Sequence, residues 1–346
     1  MSTGVRLGHP GRARKLFSTV PFLLAAGCGS SPSEQAVHAD EPLSASVTTT
    51  TLTYKANDEL FVELGTCNTT KTMVVKEPAG AGPFPVFIYA PGTWASNNSV
   101  YINDILNEAA AQGFVAASID YQTGTLPNWC TQNGWYKARC AYSASYNPQS
   151  AVSVLCSRPK AGCSSEGIVV SGHSQGGAMA AFARNFDSRV RGAWTMGFAD
   201  RNWDGTYASC MDHGTGPLGT SSVRLLADDR LRAIRGGLEG IDPTWMNQTT
   251  GRSCPAGTFD CLMGANGSGW YFAQTAELDF ALDPDKHCFM QNVPLDAFGN
   301  KVDCSDSNHV TDPKFGAVAP ATTYPSGMYQ NIQWLKNTIL PLGDQP

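Results

Sequence analysis

Three short apolar runs constrain the fold of this chain more than anything else in it. Pro85-Val86-Phe87-Ile88-Tyr89, Phe114 to Ile119 and Gly167-Ile168-Val169-Val170 are apolar at almost every position. A strand with one wet face alternates polar and apolar residues, so a continuous apolar run predicts a strand covered on both faces. Between the first two runs, Tyr101 to Gln112 has helical spacing, with Ile102, Ile105, Leu106 and Ala109 on one side and Gly113 as the stop. Further along, Pro148 to Leu155 opens a helix, Gly177 to Arg184 reads as a small-residue helix, and Val190 to Phe198 as a strand. Leu231 to Ile234 and Trp270 to Thr275 read as two more strands, and Met328 to Leu340 as a closing helix with Ile332, Leu335 and Ile339 inward. Phe61 to Leu64 and Thr72 to Val75 predict an antiparallel pair ahead of them. Strands separated by helices from Leu52 onward predict an α/β fold: a mostly parallel central sheet with helices on both faces, in one domain over 52–346.

Composition narrows the function classes. With 42% hydrophobic and 15% charged residues the chain can build a core, which excludes a disordered or fibrous protein. Net charge is −5 and no basic run lies beyond the first residues, so no phosphate-neutralising patch for nucleic acid is present. The basic residues cluster at the start: Arg6, Arg12, Arg14 and Lys15 precede an apolar stretch from Leu16 to Gly27 that is too short to span a bilayer. This is the layout of a secretory signal over 1–27. Leu24-Ala25-Ala26-Gly27-Cys28 resembles the lipobox of bacterial lipoproteins, which implies lipidation at Cys28 and a membrane contact through that anchor; ordinary secretion is the alternative. Without the signal the chain loses four cations and no anions, and its net charge becomes −9. Residues 28–51 are polar and aperiodic and read as a tether.

Cysteine usage fits export. Leaving Cys28 aside, ten remain, an even number with no Cys-x-x-Cys or Cys/His zinc spacing, so they read as disulfides and not as a metal site. Near neighbours predict pairs 130–140, 156–163, 254–261 and 288–304, leaving Cys67 to pair with Cys210.

One segment carries chemistry. Ser171-Gly172-His173-Ser174-Gln175-Gly176-Gly177 holds a Gly-x-Ser-x-Gly string at the joint between a buried strand and a small-residue helix. A serine on so sharp a turn needs neighbours without Cβ, and the helix N-terminus behind it offers free N–H groups to an oxyanion. A serine nucleophile needs a base, and imidazole titrates in the right range. Of six histidines, His9 falls in the signal, His38 in the tether, His173 beside the serine with its side chain expected to turn away, and His213 too early. His287 and His309 remain, and His287 is preferred because it follows the Trp270 strand more closely.

On these residues, with Tyr89-Ala90-Pro91-Gly92-Thr93-Trp94 after an early strand, the chain from residue 52 resembles the α/β-hydrolases. In pattern it is similar to the dienelactone-hydrolase-like and cutinase-like bacterial esterases. The resemblance implies a triad in the order Ser, acid, His, with the acid after a late strand. Leu231 to Pro243 resembles the family's acid signature and puts the acid at Glu239, with Asp242 and Asp200 as alternatives. It also implies an oxyanion hole from the backbone N–H groups of Gln175 and Thr93, and substrate contact by Trp94. The expectation is an exported, cofactor-free serine esterase without a large cap, acting on esters that include polymeric or lipid ones. A peptidase or amidase on the same fold, and a non-catalytic surface binding protein, are the alternatives.

Overall fold

The computed structural model describes residues 47–58, 66–124, 132–198, 211, 224–237, 243–278, 287–291, 309–317 and 324–344. The signal and lipobox with Cys28, the Phe61–Leu64 strand, and Asp200, Glu239 and Asp242 lie outside the described residues.

The described strands are β1 (Thr48–Ala56), β2 (Thr69–Glu77), β3 (Val86–Ala90), β4 (Val115–Ile119), β5 (Ile168–His173), β6 (Val190–Met196), β7 (Leu231–Gly236), β8 (Asp260–Cys261) and β9 (Gly269–Ala273). They form a single sheet in the order β1-β2-β4-β3-β5-β6-β7-β9-β8. From β4 through β9 neighbours pair in parallel; β1, β2 and β8 are antiparallel additions at the two edges. The helices are α1 (Val100–Ala111), α2 (Gln132–Tyr142), α3 (Ala151–Cys156), α4 (Gln175–Phe182), α5 (Pro243–Thr250), α6 (Pro313–Gly316) and α7 (Met328–Trp334), the last continuing as a wider turn through Leu335–Ile339.

The apolar runs behave as their composition requires. Along β3, Val86, Ile88 and Ala90 face one core with the side chains of α2, α3 and α4, while Phe87 and Tyr89 face the other with α1 and α7. The same rule holds in β5, where Ile168 and Val170 join the first core and Val169 the second. Two-sided burial of this kind is what makes a parallel sheet apolar throughout. The result is an α/β fold with helices on both faces.

Two elements differ from expectation. Thr72–Val75 lies in β2 between two antiparallel neighbours, β4 and β1; β1 pairs Thr48–Ala56 with Thr69–Glu77 and so begins inside the stretch read as tether. A run of β-branched threonines favours extended backbone even where it is polar, and here it forms an edge with its outer side wet. The helix α2 has no counterpart in the sequence reading, because its mixed composition hides the buried row of Lys137, Ala138, Ala141 and Tyr142.

Cysteine pairing is also partly corrected. Cys156–Cys163 and Cys254–Cys261 form as expected, but Cys67 pairs with Cys140 across a separation of 73 residues, so neither 130–140 nor 67–210 forms. The sheet explains this: Cys67 leads into β2, whose neighbour β1 packs against α2, so Cys140 on that helix is brought beside Cys67. Cys288 is disulfide-bonded as well; Cys304, its expected partner, lies outside the described residues. Disulfides of this number form in oxidising compartments. No helix among the described residues is long and apolar enough to cross a membrane.

Candidate active site

The site lies at the carboxyl ends of the parallel strands, and Ser174 is its centre. This serine sits between β5 and α4 with φ 52° and ψ −119°, a left-handed backbone conformation that a residue with a Cβ rarely adopts. Its own N–H donates to the Met196 carbonyl at the end of β6 (2.8 Å). The flanking glycines are required by close approach. A Cβ on Gly176 would lie 1.9 Å from the Ala90 carbonyl oxygen, and one on Gly172 would lie 2.4 Å from the backbone of Gly176. Strand end, turn and helix start are therefore pressed together until only backbone fits, and the serine side chain is left half-exposed at the tip.

The loop after β3 forms the second wall. A Cβ on Gly92 would come 3.4 Å from Ser174 Cβ, which puts residues 91–93 directly beside the serine. The buried Tyr121 hydroxyl donates to the Pro91 carbonyl (2.6 Å), and Ala95 N–H donates to the Gly92 carbonyl (3.1 Å). Thr93 Oγ1 accepts from Gln175 Nε2 (3.1 Å), and the same amide donates to the Thr123 carbonyl (3.4 Å). Gln175 Oε1 accepts in turn from Lys137 Nζ (2.8 Å), a lysine of α2 with no exposed surface. Trp94 follows with φ 56° and 60% of its surface exposed, near Gly124. Thr93 and Gln175 are thus neighbours through their side chains.

The third wall comes from the loop beyond β9. His287 is half-buried, and its ring lies 4.6 Å from the ring of His173, centroid to centroid. A Cβ on Gly197, just past β6, would touch both rings at 2.9–3.0 Å. His173 does not simply turn away. It is buried, and its Nε2 bonds to the His287 carbonyl (2.8 Å); a carbonyl only accepts, so that nitrogen carries the hydrogen. The residue before the serine therefore anchors the backbone of the histidine loop, a role its sequence position does not disclose. His309 is also buried, on a segment that bridges to Gln291 through Thr311.

The three acid candidates lie outside the described residues, but the strand ends that precede them, those of β6 and β7, are in place. Gly237, just past β7, donates its N–H to the Ala273 carbonyl at the end of β9 (2.9 Å), so the ends of β7 and β9 lie side by side. Glu277, one turn after β9, is committed elsewhere: it accepts from the Tyr271 hydroxyl and from Ser326 Oγ (3.1 Å).

No family model and no curated protein matches this chain. Among solved structures, a hypothetical protein from Pseudomonas aeruginosa is 20% identical over 46% of this chain and 46% of its own, with a TM-score of 0.32. The match thus spans about half the length of that protein. A PEG-bound cold-adapted esterase from an Arctic intertidal metagenomic library is 14% identical over 54% of this chain and 71% of its own, with a TM-score of 0.37. Likeness at this level carries no argument about the site.

Proposed function

We propose that the protein is an exported serine hydrolase that cleaves carboxylic esters through an acyl-enzyme on Ser174. The observation that carries this reading is the left-handed backbone of Ser174, held between Gly172 and Gly176 where strand, helix and the Ala90–Pro91 loop meet. Strain of this kind on a non-glycine residue costs of order 1–3 kcal/mol and persists where the position has work to do.

In this mechanism Ser174 Oγ attacks the ester carbonyl and His287 takes its proton. The backbone N–H groups of Gln175 and Thr93 hold the tetrahedral oxyanion, and the alkoxy group leaves with the proton from His287. Water, deprotonated by the same imidazole, then releases the carboxylic acid and restores Ser174. Glu239 is assigned to orient His287, on the position of its segment after β7; Asp242 and Asp200 are the alternates, and His309 is the alternate base. Exposed Trp94 flanks the serine loop and is assigned to the substrate. Lipidation at Cys28 would hold the enzyme at the cell envelope, where bulky or polymeric esters would reach it.

Fluorophosphonate labelling of the oxidised protein tests the reading, with the modified residue located by peptide mass. Labelling at Ser174, lost in His287→Ala and kept in His309→Ala, is the expected result, with parallel loss of p-nitrophenyl ester hydrolysis. A folded protein that neither labels nor hydrolyses esters overturns it.

A further inference from the structure

Lys137 is the most unusual charged residue among the described ones. It sits in the middle of α2 with no exposed surface, and its Nζ donates to the side chain of the residue that follows the nucleophile. A buried lysine is costly, and helices seldom carry one without a specific partner.

We propose that Lys137 is a positioning residue of the acyl-transfer site, which fixes the Gln175 amide so that its Nε2 donates to Thr93 and so sets the place and polarity of the loop carrying the second oxyanion donor. The proposal rests on the hydrolase reading above. Its logic is that of donors and acceptors. An amide has one face that accepts and one that donates, and an amide in a packed site can sit either way round. The Thr123 carbonyl only accepts, so it takes Nε2 whichever form Lys137 is in, and Lys137 holds the opposite end by donating to Oε1; Nε2 thus reaches two acceptors, Thr93 Oγ1 and the Thr123 carbonyl. With Thr93 Oγ1 accepting from the amide, the threonine hydroxyl hydrogen is left to donate elsewhere. The chain of bonds links α2, the first residue of α4, and the loops after β3 and β4. Desolvation lowers the Lys137 ammonium to about 7, and the group keeps an N–H to donate in either form.

A double-mutant cycle of Lys137→Met with Thr93→Ala tests this, using ester hydrolysis and the rate of fluorophosphonate labelling. In Lys137→Met we expect kcat and the labelling rate to fall about tenfold with KM changed less than twofold, since the oxyanion exists only after attack. In the Thr93→Ala background the same substitution costs less than twofold, because the relay has lost its end; in Thr93→Ser the full tenfold loss returns. Equal loss in all three backgrounds, a loss confined to KM, or no loss at all overturns the proposal and leaves Lys137 a packing residue. Should Lys137→Met not fold, Gln175→Leu removes the amide between the two ends and must show the same dependence on Thr93. A wild-type protein that does not label at Ser174 overturns the hydrolase reading instead, and the two failures are distinct.

Discussion

The two sides of the site are held by different forces. On the serine side, backbone is packed against backbone: Gly172, Gly176 and the Ala90–Pro91 loop approach so closely that no side chain fits between them. On the histidine side, the position of His287 depends on side chains, with His173 Nε2 bonded to its carbonyl and a disulfide at Cys288. Steric exclusion is short-ranged and unforgiving, whereas a hydrogen bond can be lost while the fold survives. The serine side should therefore respond to substitution in an all-or-none way, and the histidine side by degrees.

The largest effect is expected at the serine itself. Ser174→Gly removes the proposed nucleophile and should lower ester hydrolysis by about 10⁴-fold or more. The same change admits the left-handed backbone without strain, so thermal unfolding should move upward by the equivalent of about 1 kcal/mol. Loss of activity with a lowered Tm would show that the serine backbone is unstrained and would remove the main support for the turn. Next comes the cross-link that ties α2 to the start of β2. By loop-closure entropy, removing Cys67–Cys140, which closes 73 residues, should cost about 4 kcal/mol, and removing Cys156–Cys163, which closes 7, about 2.5 kcal/mol. Denaturant unfolding of the paired Cys→Ala variants checks the order; a reversed order would mean that α2 is held by its packing and not by the bridge.

The contrast also explains what the sequence discloses. The apolar runs at 85–89, 114–119 and 167–170 declare buried parallel strands because two-sided burial leaves no polar position, and all three are found. The serine turn is legible for a related reason: close approach of backbone requires glycine, and glycine is visible in a string of letters. What escapes is contact made by side chains over long separations. His173 reaches the His287 carbonyl across 114 residues, and Lys137 reaches Gln175 across 38. Helical spacing on α2 is the one available signal for Lys137, which shares a row with Ala141 four residues on. Pairing Cys67 with Cys140 likewise depends on which helix covers which strand, and spacing along the chain is silent about that.

A smaller effect sharpens the histidine side. His173→Phe keeps a ring between Gly92 and Gly197 but cannot donate to the His287 carbonyl. We expect kcat to fall about 10- to 100-fold with a modest change in Tm, since on the proposed mechanism His287 is the base and its displacement lowers reactivity without opening the core. Collapse of the fold in this variant would instead make both sides equally dependent on packing and erase the distinction.

The smallest effect lies beneath the two sides, in the pH dependence contributed by Lys137. In the native protein its pKa is lowered to about 7 by desolvation, while in the unfolded chain it returns to the ordinary lysine value of about 10.4. Below pH 7 both states carry the proton, and the cost of burying the ammonium is present in full. Between the two values the unfolded chain binds more protons than the native one, so stability rises with pH through that window. The unfolding free energy of the wild type minus that of Lys137→Met should therefore grow between pH 7 and pH 9.5, by about 1–3 kcal/mol. A difference that stays flat across this range would mean that the ammonium remains solvated in the native state.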